Sequence, residues 1–180
     1  MALFYLSKSM GNDIESILKK VEERFRKKIE KEYTIEIGVV DGLSDERKED
    51  EKVNIPESDA KPYTNAQLLY LNCMGSVPNK IPARNVLQYT IDDFNNFLYK
   101  EVTEELVKQI NQSDTWEIED TDRYMDKVAE MLGGHCRDLI SNRDSRIQEN
   151  SKTTIELKKS DTPLIDTGQM RRAIVGRVKK

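Results

Sequence analysis

Residues 119–148, EDTDRYMDKVAEMLGGHCRDLISNRDSRIQ, decide the fold class. Tyr124, Val128, Met131, Leu132, Cys136, Leu139, Ile140 and Ile147 recur at three- and four-residue steps, the spacing of a helix that buries one stripe. Gly133-Gly134 interrupts that stripe. A glycine inside a helix costs about 1 kcal/mol relative to alanine. The pair therefore predicts either a kink or a second backbone packed close against the helix.

Two further long helices are predicted on the same grounds. In 10–31 the stripe is Ile14, Ile17, Leu18, Val21, Phe25 and Ile29, with Glu15–Lys19, Glu22–Arg26 and Glu23–Lys27 paired on the other face. In 89–111 it is Ile91, Phe94, Phe97, Leu98, Val102, Leu106 and Ile110. Residues 64–74 read as a short helix, with Thr64 as its N-cap and Gly75 as the residue that ends it. Pro78 and Pro82 exclude regular structure from the stretch that follows. Alternation marks strands at 33–40 and 173–178, with 154–157 a candidate third. These elements define an α+β domain over residues 1–180. Three long helices and one short helix pack on a small, mostly antiparallel sheet, and the polar, acidic stretch 42–62 projects as a long loop.

The composition narrows the function. Of 180 residues, 34% are charged and 37% hydrophobic, so the core is thin or is completed by a partner. No run reaches the ~18–20 apolar residues of a membrane span. The opening MALFYLSKSMGND has no charged n-region, and its reading is not a signal peptide. One histidine and two cysteines leave no multi-histidine metal site and no disulfide framework. The net charge of −4 provides no overall basic footprint for nucleic acid. Charge is nevertheless polarised. Asp41 to Lys52 holds six acids and three bases, and Gln169 to Lys180 holds five bases and no acid.

Three constellations invite a chemical reading. Leu164-Ile165-Asp166-Thr167-Gly168 has the apolar-apolar-Asp-Thr-Gly pattern of aspartic proteases, in which two aspartates share a proton. The mostly helical chain upstream is the wrong context, and a turn with Gly168 at positive φ is the alternative. His135 and Cys136 are neighbours, but adjacent helical residues point about 100° apart. Cys136 and Cys73 both fall on apolar faces, as small core residues do. Tyr63, Tyr70, Tyr89 and Tyr99 are too scattered for a base-stacking platform. No catalytic, cofactor-binding or metal-ligating set emerges, and the chain reads as a non-enzyme.

Two segments together resemble a known family. AQLLYLNCMGSVPNKIPARNVLQYTIDD (66–93) and TPLIDTGQMRRAIVGRV (162–178) are similar to paired motifs of tail-component, or tail-completion, proteins of long-tailed bacteriophages. In these a short helix ends in glycine, an I-P-x-R step leads to a long helix, and a P-L-x-D-T-G step precedes basic residues and a last strand. The matching residues are Gly75, Ile81, Pro82, Ala83 and Arg84, then Pro163, Leu164, Asp166, Thr167, Gly168, Met170, Arg171 and Ile174, with Arg172 beside them. Asn85-Val86-Leu87 stands where the family usually has an aromatic or apolar residue soon after I-P-x-R, as in a P-F-L step, and Ala173 stands where it often has serine.

The resemblance implies a virion structural protein of the head–tail neck, made in the bacterial host cytoplasm. It implies a ring of copies that helps join tail to head, without cofactor, metal or membrane. The implied partners are other neck and tail proteins: connector or adaptor, stopper, tail terminator or tail tube, with DNA passing nearby. On this reading Pro82 fixes a turn between helices, Arg84 donates to a carboxylate or to carbonyls, and Asp166-Thr167-Gly168 delivers the last strand. The alternatives are a DNA-binding or packaging accessory protein acting through the basic C-terminus and, more remotely, an aspartic protease.

Overall fold

In the computed structural model the chain is described at residues 31–40, 63–78, 80–158 and 160–179, and at Lys19, Glu23 and Arg26. In chain order the elements are β1 (Ile35–Val39), α1 (Asn65–Met74), α2 (Val86–Asp93), a π-helical turn (Phe94–Leu98), α3 (Tyr99–Gln112), α4 (Ile118–Ser141), α5 (Lys152–Lys158), α6 (Gln169–Ala173) and β2 (Ile174–Val178). The class is α+β. β1 and β2 form an antiparallel two-stranded sheet, with Ile35 opposite Val178 and Val39 opposite Ile174. The helix expected over 10–31 lies outside the described residues except for Lys19, Glu23 and Arg26, which are helical and exposed. The loop 42–62 also lies outside them.

The order 86–112 is one helical run with a wider turn in the middle. Val86, Thr90, Phe94, Leu98, Val102, Leu106 and Ile110 follow each other at strict four-residue steps. Such steps drift about 40° each around an α-helix of 3.6 residues per turn. The π turn at Phe94–Leu98 takes up part of the drift, so Val86 and Thr90 at one end and Leu106 and Ile110 at the other are all buried. Ile91 and Phe97, which the periodicity placed on the stripe, are exposed instead. The run begins at Val86 rather than at 89, because Asn85 Oδ1 accepts the Gln88 N–H at 3.1 Å.

α4 is the spine. Its start is fixed by the Glu117 N–H donating to Asp120 Oδ2 at 2.9 Å, and by Trp116 Nε1 donating to the buried Thr121 Oγ1 at 2.9 Å. One length of it packs Tyr124, Val128 and Leu132 against Leu106 and Ile110 of α3, with Ile35 and Ile37 of β1 at the margin. The next length packs Cys136 and Ile140 against Leu69 and Cys73 of α1, Val86, Ile147, Leu164, Met170 and Ile174. The helix ends at Ser141, short of the expected 148. Arg143 takes a positive φ of 53° and the Asp144 N–H closes back on Leu139 O at 3.0 Å. Ile147 reaches the core from the loop rather than from the helix.

Between these two lengths α4 crosses β2 backbone to backbone, and the helix runs unbroken through Gly133-Gly134. A Cβ on Gly133 would stand 2.4 Å from Gly176 N, and a Cβ on Gly176 would stand 1.8 Å from Ala129 O. Neither position has room for a side chain. Gly134 faces away, where a Cβ would meet only Arg137 Nη2 at 3.7 Å. Arg137 Nη1 donates to Ile174 O at 2.6 Å and locks the first residue of β2. Tyr33 OH donates to Asp122 Oδ1 at 2.7 Å and ties the approach to β1 onto the start of α4.

Two elements differ from the sequence reading. Residues 154–157 are not a third strand but part of α5. Ser151 Oγ accepts the Thr154 N–H at 3.2 Å and Ser151 O accepts the Ile155 N–H at 3.0 Å. A serine cap thus directs a stretch too short to hold a strand by alternation alone. Residues 169–173 form α6, and the strand begins at Ile174 rather than Ala173.

The two adjacent glycines should respond oppositely to alanine. Gly133→Ala or Gly176→Ala is expected to lower the unfolding free energy by about 3 kcal/mol or more, as overpacking against backbone does. Gly134→Ala is expected to raise it by up to about 1 kcal/mol through helix propensity. Urea unfolding of the three variants checks both signs.

Candidate functional site

The first motif segment starts where α1 stops. Gly75, at φ 71°, sends its N–H to Leu71 O at 2.8 Å. Beyond it Ser76 and Ile81 exchange backbone bonds at 2.8 and 2.9 Å across a reversal of the chain. The reversal is thus made before Pro82, which lies on the extended passage leaving it and not at the turn itself. Ala83 N lies where a Cβ of Gly75 would be, only 2.7 Å away, so the returning chain presses on the glycine.

Arg84 follows, and is 6% exposed. Its N–H donates to Asn72 O at 2.7 Å. Its guanidinium donates from Nε to Gln148 O at 2.6 Å and from Nη2 to Glu149 O at 3.0 Å, and reaches Asn150 Oδ1 at 3.4 Å. The planar fork therefore holds carbonyls of the irregular segment after α4, in the same chain, rather than a carboxylate. Burial lowers its pKa and the nearby Glu149 carboxylate works against that.

The second motif segment meets the first. Pro163 is fully buried and Leu164 turns through φ 59°. Thr167 Oγ1 accepts the Gln169 N–H at 3.4 Å, and Gly168, at φ 77°, opens α6. This is the turn expected of Asp166-Thr167-Gly168. Met170 is buried, and Asn72 Nδ2 lies 3.9 Å from its sulfur. Residues of both segments line a cleft of about 820 Å³. Ile81, Pro82, Arg84, Leu164, Asp166, Thr167, Gly168 and Met170 line it. Gly75 and Pro163 are not among its lining residues.

The cleft also takes in residues that the sequence did not single out. Asn72 of α1, the 148–151 segment, and Thr154 and Lys158 of α5 complete the walls. Lys158 Nζ reaches Thr162 O at 3.4 Å. Burial lowers the Lys158 pKa, and the charge of Asp166 opposes that shift. Lys158 was hidden because α5 reads as a strand. Its lining combines the apolar Leu68, Ile81, Pro82 and Leu164 with the cations Arg84 and Lys158, the carboxylates Glu149 and Asp166, and amide side chains.

A second polar cluster holds the same 144–150 wall from outside. Arg146 donates to both Asp93 oxygens at 2.7 and 2.8 Å, and again to Asp144 Oδ1 and Oδ2 at 2.7 and 2.9 Å. Its guanidinium lies 5.0 Å from the centre of the Tyr89 ring. His135 Nε2 is 2.9 Å from Asp93 Oδ2. The Arg146 guanidinium, and after it His135, hold the Asp93 carboxyl down at about 2 against the opposing effect of burial.

His135 thus turns to Asp93, while Cys136 beside it is fully buried and its thiol is pushed up to about 11 by burial. The basic C-terminal bases mostly have partners within the chain. Arg171 donates to Ser141 Oγ, Arg172 to Thr167 O, and Arg177 and Lys179 pair with Glu36. Lys180 lies outside the described residues. Among the described residues no helix is long and apolar enough to cross a membrane, and no group of three His, Cys, Asp or Glu residues is placed to hold a metal ion. Comparison with protein-family models, curated proteins and solved structures finds no match.

Two measurements test the anchoring of the cleft wall. Arg84→Lys loses the two-carbonyl fork and is expected to cost about 2 kcal/mol of stability in denaturant unfolding. Asp93 titrates lower in the folded protein than in the unfolded chain. Its contribution, about 1–2 kcal/mol, is therefore complete above about pH 4 and lost as pH falls through about 2. Asp93→Asn should remove that contribution at pH 7, and the gap between variant and wild type should close across this acid window in a pH series of melts.

Proposed function

We propose that this chain is a structural protein of the head–tail neck of a long-tailed bacteriophage virion, acting in tail completion, assembling in a ring and helping to join tail to head. The observation that supports the reading is the convergence of the two resembling segments. Asn72 and Met170, 98 residues apart, touch, and residues of the I-P-A-R and L-I-D-T-G steps line one cleft together. On this reading the cleft receives a segment of a neighbouring neck or tail protein. Arg84 and Arg146 keep its irregular wall in place before that segment arrives, which lowers the ordering cost of binding. The DNA-binding alternative has less support, because the described C-terminal bases are engaged with Ser141, Thr167 and Glu36.

The test is electron microscopy of lysates from a phage carrying an early stop codon in this gene. Filled heads and finished tails that accumulate unjoined are the expected result. Normal infectious particles would overturn the proposal. Duplex-DNA affinity that falls steeply with salt would favour the accessory-protein alternative instead.

A further inference from the structure

β1 offers one edge to β2 and the other to no described residue. The Lys179 N–H donates to Thr34 O at 2.8 Å, and with Ile35 opposite Val178 this fixes the phase of the ladder. The backbone groups of Glu36 and Gly38 point at β2, and those of Ile35, Ile37 and Val39 point away. Among the described residues nothing bonds to the outward N–H and C=O groups of Ile35, Ile37 and Val39. The outer side of β2 is different. Arg137 already holds Ile174 O at 2.6 Å, and Gly176 lies against the carbonyl of Ala129.

Open strand edges are ordinarily guarded by lysine, proline, a bulge or an unpaired charge. β1, with the sequence IEIGV, carries one charge. That charge, Glu36, is held by Arg177 at 2.9 Å and Lys179 at 3.4 Å on its own sheet. Among the described residues the edge is therefore apolar, locally neutralised and unguarded.

We propose that a second copy of this chain pairs with this edge, β1 against β1 and antiparallel, with Ile37 facing Ile37 of the second copy on a twofold axis. In this register Ile35 faces Val39 of the second copy. Every outward-pointing residue then meets another, so each facing pair exchanges both of its N–H···O bonds. Glu36 falls opposite Gly38 of the second copy, and no like charges meet. The apolar face formed by Ile35, Ile37 and Val39, which already packs on the two cores, continues across the axis. Two marginal two-stranded sheets become one of four strands, a size that stands on its own. The pairing draws nothing from the neck assignment, and either stands without the other.

The full chain provides the test. Sedimentation velocity over a wide concentration range should show a shift from the monomer to twice its mass. Residue-resolved amide exchange should show the N–H groups of Ile35, Ile37 and Val39 slowing at least tenfold as concentration rises, while those of Glu36 and Gly38 stay protected throughout. Val39→Pro removes an outward N–H that β2 does not use, and should weaken association by about tenfold or more. The exchange measurement needs no variant, so the proposal remains testable if Val39→Pro fails to fold. A monomer at every concentration overturns the proposal. So does a dimer whose formation leaves exchange at Ile35, Ile37 and Val39 unchanged, and so does growth past the dimer into open chains.

Discussion

The structure turns on the contact between the Gly133 region of α4 and Gly176 of β2. Ala129, Gly133 and Gly176 let a helix and a strand approach until main chain meets main chain. Dispersion and weak Cα–H···O contacts at such closeness replace side-chain burial as the local glue. The position of this contact, midway along α4, decides where everything else lies. With β2 seated at the waist of the helix, Ile174 drops into one cluster, while Ile35 and Ile37 on the paired strand reach the other. A thin-cored chain thereby forms two small cores along one helix rather than a single large one.

The cleft is built differently. Its walls are largely irregular, and no sheet or helix ladder holds residues 144–150. Two guanidiniums do this work. Arg84 grips backbone carbonyls from inside, and Arg146 grips Asp93 and Asp144 from outside. An irregular segment normally leaves its carbonyls to water, so supplying charged donors to them is a way of making a loop behave as a wall. The cost is the burial of Arg84 without a carboxylate on its fork, which is tolerable because peptide dipoles satisfy its hydrogen bonds.

Much of this was legible from residue spacing. The stripe from Tyr124 to Ile140, the Thr64 cap, the Gly75 and Gly168 turns and the last strand all carry local signals, and local signals are what a sequence displays. Gly133-Gly134 announced a kink or a close approach, but only the partner strand β2, which reaches Gly133 through Gly176 from beyond any sequence window, shows that Gly133 and not Gly134 is the reason. α5 was missed because Thr154-Ile155-Glu156-Leu157 alternates over too few residues to outweigh the Ser151 cap. Of the cleft's lining residues, those on the I-P-A-R and L-I-D-T-G steps were singled out by the sequence. Lys158, Asn72 and the 148–150 carbonyls were not, because a backbone carbonyl has no sequence signature and Lys158 sits on the misread element.

The distance along the chain between β1 and its partner carries a consequence for synthesis. β1 leaves the ribosome long before β2 has been made, since Glu36 waits for a residue 141 positions later. Helices that close on nearby residues can form during the wait, but the strand cannot, because closing so long a loop is entropically deferred. During that interval the edge of IEIGV that β2 will pair with is open, and Arg177 and Lys179 are not yet present to neutralise Glu36. The lone carboxylate, silent in the finished sheet, then serves as the gatekeeper that keeps nascent chains from pairing with each other too early.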